Sequence, residues 1–259
     1  MPHIILKRVW DYCSYSKKYL VFIMVLLFIS SLIQNYVIIH GDSNEINILH
    51  LLVLIVVSGY GMVITKDRIN HGNRLPKIVV KDILLFGIKS AVVISVYVFV
   101  QGKILDYICS PLNFPRFDLE EMLLNWSETI HMLYSHNPVN TVIFLVGGAI
   151  LFYVCSFFME IALARLADTG SLVSSFNFIA IKRSIDVVGW RNYAKDYTLI
   201  VFAIVFLSYL MSYELVFSFL DSIVDMFLAF LIFATQYLGI GAAYCEIKDL
   251  ETKVRIPVE

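Results

Sequence analysis

Residues 58–89 read SGYGMVITKDRINHGNRLPKIVVKDILLFGIK, and the arrangement seen there recurs along the chain. An apolar helix ends soon after the Gly-x-Gly at 59–61, and the chain then enters a loop rich in Lys and Arg. It turns at 71–73, begins a helix again at Pro76 and continues into a second apolar segment. An apolar helix that stops in a basic loop and then returns is typical of a polytopic membrane protein.

The composition of the whole chain favours the same class. Of the 259 residues, 59% are hydrophobic and 16% are charged, and the mean hydropathy is +0.78. A soluble domain carries about a quarter charged residues. The apolar residues here lie in runs of roughly 20, the length that crosses a hydrocarbon core about 30 Å thick. The sequence therefore predicts an all-α fold, a polytopic transmembrane helical bundle of about six spans with short cytoplasmic interfacial helices.

The six predicted spans belong to one integral membrane domain, residues 1–259. Their approximate limits are 19–39, 46–65, 83–108, 139–164, 197–219 and 226–244. The first run exceeds a signal-peptide core and no A-x-A site follows it, so we interpret it as a retained helix. The turn between the last two spans is placed at Asp221–Asp225, because aspartates are costly at the bilayer centre. A turn at 212–214 is the alternative.

Two helices outside the spans are predicted from local signals. In the long acidic connection at 109–137, Asp118 caps a helix that includes the N-x-S sequon at Asn125. This helix lies on the outer membrane surface or folds over the bundle. A second helix begins at the N-cap Asn177 and stops at Gly189. Its apolar positions recur at helical spacing (Phe178, Ile181, Ile185 and Val188), and its charges occupy the opposite face (Lys182, Arg183 and Asp186). Being short and charged, this helix is predicted to lie in the membrane interface.

The distribution of positive charge predicts the orientation. All of the 20 Lys and Arg residues except Lys103 and Arg116 fall on one side of a six-span topology. The positive-inside rule places that side, and both termini, in the cytoplasm of a cell that carries the protein in its plasma membrane. The net charge of −1 gives no basic footprint for nucleic acid, so we expect none as a partner.

The loops after the second and fourth spans follow one pattern. Each has a helix ending in Arg, a turn with Gly and then Leu, namely Arg68, Gly72 and Leu75 in the first loop and Arg165, Gly170 and Leu172 in the second. The sixth span repeats the Gly-x-Gly at 239–241, again followed by Lys-Asp. These echoes favour a repeat of three helical hairpins, and chance similarity among apolar segments is the alternative.

These loops also carry a family resemblance. The matching elements are Gly59-Tyr60, Leu75-Pro76, Gly87-x-Lys89, Ala162-Leu163-Ala164-Arg165, Thr169-Gly170-x-Leu172, Phe176-Asn177-Phe178 and Gly189-Trp190-x-x-Tyr193. With them the chain resembles the membrane family called domain of unknown function 4013, found largely in methanogenic archaea. Two departures are the Lys77-Ile-Val-Val-Lys81 stretch, where the family has acidic residues and Trp, and Asn177, where it has Asp. The resemblance implies a multi-helix membrane protein and brings no activity or site residues with it.

Candidate functional residues fall into two groups. The first is predicted to contact lipid headgroups at the interface: Arg68, Arg74, Lys77, Lys81, Lys89, Arg165, Lys182, Arg183 and Trp190. The second comprises two carboxylates in or near the membrane, Glu160 and Glu214, because such groups are often functional there. The glycines at 59–61 resemble a potassium-channel filter only superficially, and close helix packing explains them better.

No catalytic, cofactor-binding or metal-binding residue is predicted. The four cysteines are scattered, without a C-x-x-C or a His at ligand spacing, and no nucleotide or hydrolase fingerprint occurs. We therefore expect no cofactor, and lean against an enzyme without excluding one. The expected partners are the lipid bilayer, anionic lipid headgroups and a membrane protein of unspecified identity. The function favoured is membrane organisation or a subunit role in a membrane assembly, and a small transporter is the alternative.

Overall fold

The chain is mostly helical in the part described by the structure, a computed structural model covering residues 9–40, 44–109, 126–211 and 218–255. Residues 70–79 are not helical, so the helix predicted to begin at Pro76 begins at Val80 instead. No strand occurs in these ranges, which confirms the all-α prediction. The helices are α1 (residues 9–14), α2 (Lys17–His40), α3 (Asn44–Ile69), α4 (Val80–Cys109), α5 (Trp126–His136), α6 (Pro138–Thr169), α7 (Leu172–Ser175), α8 (Phe178–Val188), α9 (Trp190–Met211) and α10 (Ser218–Arg255).

Five segments within the described ranges are long and apolar enough to cross a membrane: Asn44–Ile69, Val80–Ile108, Pro138–Thr169, Trp190–Met211 and Ile223–Thr252. The first predicted span falls in α2, which has 24 residues and is therefore about 36 Å long at 1.5 Å per residue. The chain is a helical protein with the span-like segments of a multi-pass membrane protein, close in number to the predicted six.

The turn between the last two spans was placed wrongly. α9 ends at Met211 and α10 is already helical from Ser218, so Asp221 and Asp225 lie inside a helix. Residues 212–217, which include the alternative turn at 212–214, lie outside the described residues. Asp221 lies at the end of the first turn of α10, where the helix dipole favours a carboxylate, so it does not require a loop.

The predicted outer helix is described only in part. Asp118 and Asn125 lie outside the described residues, whereas Trp126 begins α5, which ends at His136. The Asn137 side chain then accepts a hydrogen bond from the Asn140 amide, at 3.1 Å, as α6 starts with Pro138. An Asn cap followed by proline in the first turn is a favoured way to begin a helix.

The chain divides into two compact units, one of residues up to 93 together with those from 160 onward, the other of residues 94–159. Within the first unit α10 is the central helix, because it packs against α2, α3, α8 and α9. The second unit has its own buried residues, including Tyr97, Leu133, Thr141 and Phe144.

Glycines set the closest helix contacts in the first unit. A Cβ on Gly59 would overlap the Ile83 carbonyl oxygen, and a Cβ on Gly241 would lie 2.8 Å from Arg68 Cβ and 3.0 Å from the Thr65 carbonyl oxygen. The Thr65 hydroxyl donates to the Tyr237 carbonyl across the same α3–α10 contact, at 3.0 Å. Gly59 and its neighbours lie within a continuous helix, so the packing explanation for the Gly-x-Gly is confirmed.

Candidate functional site: the helix-end cluster

Polar side chains from the C-terminal ends of α3 and α6 and from the last turns of α10 meet in the first unit. Lys248 is at the centre, since its Nζ lies 2.7 Å from Asp168 Oδ1 and 3.4 Å from Asn70 Oδ1. We call this group the helix-end cluster and define it as Asn70, His71, Asp168, Cys245, Lys248 and Asp249. It joins three helices that are far apart in sequence.

His71 enters the cluster in an unusual backbone conformation. Its φ is 61°, in the left-handed region, and the following amide of Gly72 donates to the Asp67 carbonyl at 2.8 Å. Histidine is among the residues that adopt this conformation more often than most. The turn brings His71 Nε2 to 3.2 Å from Asp249 Oδ1, and His71 Nδ1 to 3.5 Å from Cys245 Sγ.

Three side chains of the cluster could hold a metal ion. The donor atoms of His71, Cys245 and Asp249 all lie within 4.8 Å of one another. Sequence reasoning missed this grouping, because 174 positions separate His71 from Cys245. The local signal that was available is the spacing of Cys245 and Asp249, which puts both on one face of a helix.

The N-terminal residues are fastened to the same end of α3. The Tyr12 hydroxyl donates to Asp67 Oδ2 at 2.7 Å. Burial, with the hydrogen bond to Asp67 as a second cause, raises the pKa of Tyr12 above its usual range. Burial also raises the pKa of the Cys13 thiol to about 12, so this cysteine stays protonated at neutral pH.

Three of the cations predicted at lipid headgroups donate to loop oxygens. Arg68 Nη1 lies 3.2 Å from the Gly72 carbonyl oxygen, and Lys89 Nζ reaches the Gly170 carbonyl oxygen at 2.5 Å. Arg165 Nε donates to the Ser174 carbonyl at 3.1 Å and its Nη1 to the Ser184 hydroxyl at 3.3 Å. The Arg of each repeated loop thus holds its own loop in place.

The other predicted headgroup residues are exposed, namely Arg74, Lys77, Lys81, Lys182, Arg183 and Trp190. The Trp190 indole nitrogen donates to Asp186 Oδ1 at 2.7 Å. Arg74 and Lys77 precede α4, Lys81 lies in its first turn, Lys182 and Arg183 lie in α8, and Trp190 begins α9. Whether they meet lipid stays a prediction.

The predicted helix after Asn177 is present as α8. The Asn177 side chain accepts a hydrogen bond from the Ala180 amide at 3.0 Å. At the other end, Gly189 has a φ of 89° and its amide donates to the Ile185 carbonyl. Its apolar residues divide in a way that the periodicity did not predict, because Ile181 and Ile185 are fully buried whereas Phe178 is 61% exposed. The buried face packs against α10 and α9, so α8 is attached to the helical bundle.

Of the two candidate carboxylates, Glu160 and Glu214, only Glu160 lies within the described residues. Glu160 is buried in a narrow cleft of about 10 Å³ beside Tyr197 and Tyr244, a volume that admits about one water molecule. Glu214 lies outside the described residues. Sequence reasoning did not identify the larger cavity nearby.

That cavity measures about 500 Å³, and Asp11, Arg68, Asp196 and Glu246 lie among its lining residues. The Thr235 hydroxyl also lines it, and this buried oxygen has no hydrogen-bond partner within the described ranges. A volume of this size is typical of a small-molecule site.

Five helices in the described ranges have the length and the composition of the spans of a multi-pass helical membrane protein. Residues 46–220 match the model of domain of unknown function 4013, described as a protein of unknown function, and the chain belongs to this family. The family resemblance predicted from the two loops is confirmed. No curated protein and no solved structure matches the chain.

Proposed function

We propose that this protein is a non-enzymatic integral membrane protein that organises the membrane, alone or within a larger assembly, by holding anionic lipid headgroups at its basic loops. The observation that carries the proposal is the outward face of α8. Phe178 and Ile179 are 61% and 84% exposed there, and the cations Lys182 and Arg183 follow on the next turn. Apolar side chains beside cations are the pattern of a helix in the membrane interface.

The attachment of α8 supports this role. The buried residues of α8 are Ile181, Ser184 and Ile185. The Arg165 guanidinium, on α6, donates to the Ser184 hydroxyl. The helix is therefore held by one face while its apolar and cationic side chains stay available on the other. Each cation near an anionic membrane surface contributes about 1 kcal/mol of attraction, which is roughly a fivefold change in binding.

Lipid retention after purification in mild detergent tests the proposal. Mass spectrometry of co-purifying lipids and proteins should find anionic lipids enriched over zwitterionic ones. The double variant Lys182→Gln and Arg183→Gln should lose most of this enrichment, whereas Lys103→Gln, which removes an exposed cation from α4, should retain it. A solitary protein without retained lipid, or equal enrichment in all three proteins, would contradict the proposal.

A small transporter is the second candidate, and the 500 Å³ cavity is the observation that favours it. Three carboxylates and one Arg line its polar part, so a cationic substrate is favoured. Flux of an organic cation into proteoliposomes should then disappear in Asp196→Asn. Glu160→Gln should leave flux unchanged if the route follows the cavity, and should abolish it if the route follows the narrow cleft. Absence of flux in the unmodified protein would end this candidate.

A further inference from the structure

The geometry points to a binding site for a divalent transition-metal ion, of which Zn²⁺ is the representative, formed by His71, Cys245 and Asp249. The donors are an imidazole nitrogen, a thiolate sulfur and a carboxylate oxygen, the set that zinc takes in proteins. This site is independent of the headgroup-binding function, because it lies in the helix-end cluster and uses none of the cations of α8.

The spacing of the donors fits a tetrahedral ion. Ligand atoms at 2.0–2.3 Å from a tetrahedral zinc lie about 3.3–3.8 Å from one another. His71 Nε2 is 3.2 Å from Asp249 Oδ1 and 3.9 Å from Cys245 Sγ. The third pair, Cys245 Sγ and a carboxylate oxygen of Asp249, lies within 4.8 Å. Side-chain rotations that bring these two atoms closer would place all three donors around one ion and leave a fourth position for water or another ligand.

The backbone that carries these donors is fixed from both sides. Cys245 and Asp249 are one turn apart on α10, so their positions relative to each other are set by the helix. The position of His71 relative to them is set by the contact of Gly241 with Thr65 and Arg68, a turn or two before the site on each helix. His71 itself lies in the left-handed turn that follows α3.

The charges around the site are compatible with a cation. A thiolate and a carboxylate together balance the two charges of the ion. The charge of Lys248 is compensated within the helix-end cluster, because its Nζ is paired with Asp168 at 2.7 Å.

Cobalt titration of the metal-free protein in detergent tests the site. One equivalent of Co²⁺ should produce a thiolate-to-cobalt charge-transfer band in the near ultraviolet and intense visible bands of a tetrahedral ion, and Zn²⁺ should remove both. Cys245→Ser should lose the charge-transfer band. His71→Asn, which keeps a residue suited to the left-handed turn, and Asp249→Asn should each weaken binding at least tenfold.

Two controls make the outcome decisive. Cys155→Ser removes a thiol of α6 that is not one of the cluster residues, and this variant should bind Co²⁺ as the unmodified protein does. Circular dichroism should show unchanged helix content in every variant. A charge-transfer band that survives Cys245→Ser, or no band at equimolar Co²⁺ in the unmodified protein, would overturn the proposal.

Discussion

Single residues determine how closely the helices of the first unit approach. Gly59 on α3 and Gly87 on α4 face backbone atoms of the opposite helix, since a Cβ on either would overlap a carbonyl oxygen of Ile83 or Ile55. A backbone oxygen cannot rotate away as a side chain can. Any residue larger than glycine therefore has to push the two helices apart.

We predict that Gly59→Ala destabilises the protein. Overpacking of this kind costs about 1–3 kcal/mol, and no flexible side chain is present to absorb it. Gly102→Ala is the matched control, because Gly102 also lies in a helix but nothing lies within 4 Å of its added Cβ. Thermal unfolding in detergent should show a lower midpoint for Gly59→Ala and an equal or higher one for Gly102→Ala, where alanine is the better helix former. Equal midpoints for both variants would show that the helices separate without cost.

For single residues, the sequence predicts which residue types serve helix packing better than it predicts which residues contact each other. The glycine pairs could be interpreted as packing positions because small residues in apolar helices serve that purpose. The donation of Arg68 and Arg165 to loop carbonyls could not be predicted, since a cation at a helix end is equally suited to headgroups. The grouping of His71 with Cys245 depends on how α3 packs on α10, and no local pattern encodes that.

The elements differ in how fully local sequence specifies them. α8 was predicted with its cap and its stop because Asn177 and Gly189 act on their immediate neighbours. The turn predicted at Asp221–Asp225 was wrong, because an aspartate such as Asp221 is acceptable both in a turn and in the first turn of a helix. What α8 packs against was also not predictable, since the same periodicity suits a lipid surface and a protein surface.

At the scale of elements, we predict that Arg165→Ala loosens α7 and α8 without unfolding α6. The side chain makes two hydrogen bonds, to the Ser174 carbonyl and the Ser184 hydroxyl, which connect those short helices to the end of α6. Hydrogen bonds from a charged group contribute about 1.5–3 kcal/mol each. Amide hydrogen exchange in α8 should therefore accelerate at least tenfold.

Arg191→Ala is the control for this change. Arg191 is exposed on α9, and no hydrogen bond of its side chain is found in the described ranges. Exchange in α8 should stay as it is in the unmodified protein. If Arg165→Ala left α8 equally protected, the buried Ile181 and Ile185 alone would be sufficient to hold the helix.

At the scale of the whole molecule, sidedness follows from charge. The ends of α3, α6 and α10 are held together by Lys248, His71 and their partners, so the basic loops and the last turns of α10 lie at one end of the first unit. The positive-inside rule assigns that end to the cytoplasm. Lys103, one of the two cations that the six-span topology places outside, is predicted to face the outer side.

Thiol labelling with an impermeant maleimide measures this orientation. Cys13 cannot report on it, because the side chain is 1% exposed and its pKa is raised to about 12 by burial. Cys245 is only half-buried and is the suitable reporter. In inverted vesicles Cys245 should be labelled. In intact cells Cys245 should stay unlabelled and an introduced Lys103→Cys thiol should be labelled, with Cys109 of the outer connection replaced by Ser so that it adds no signal. Labelling of Cys245 in intact cells would reverse the orientation and place the helix-end cluster outside.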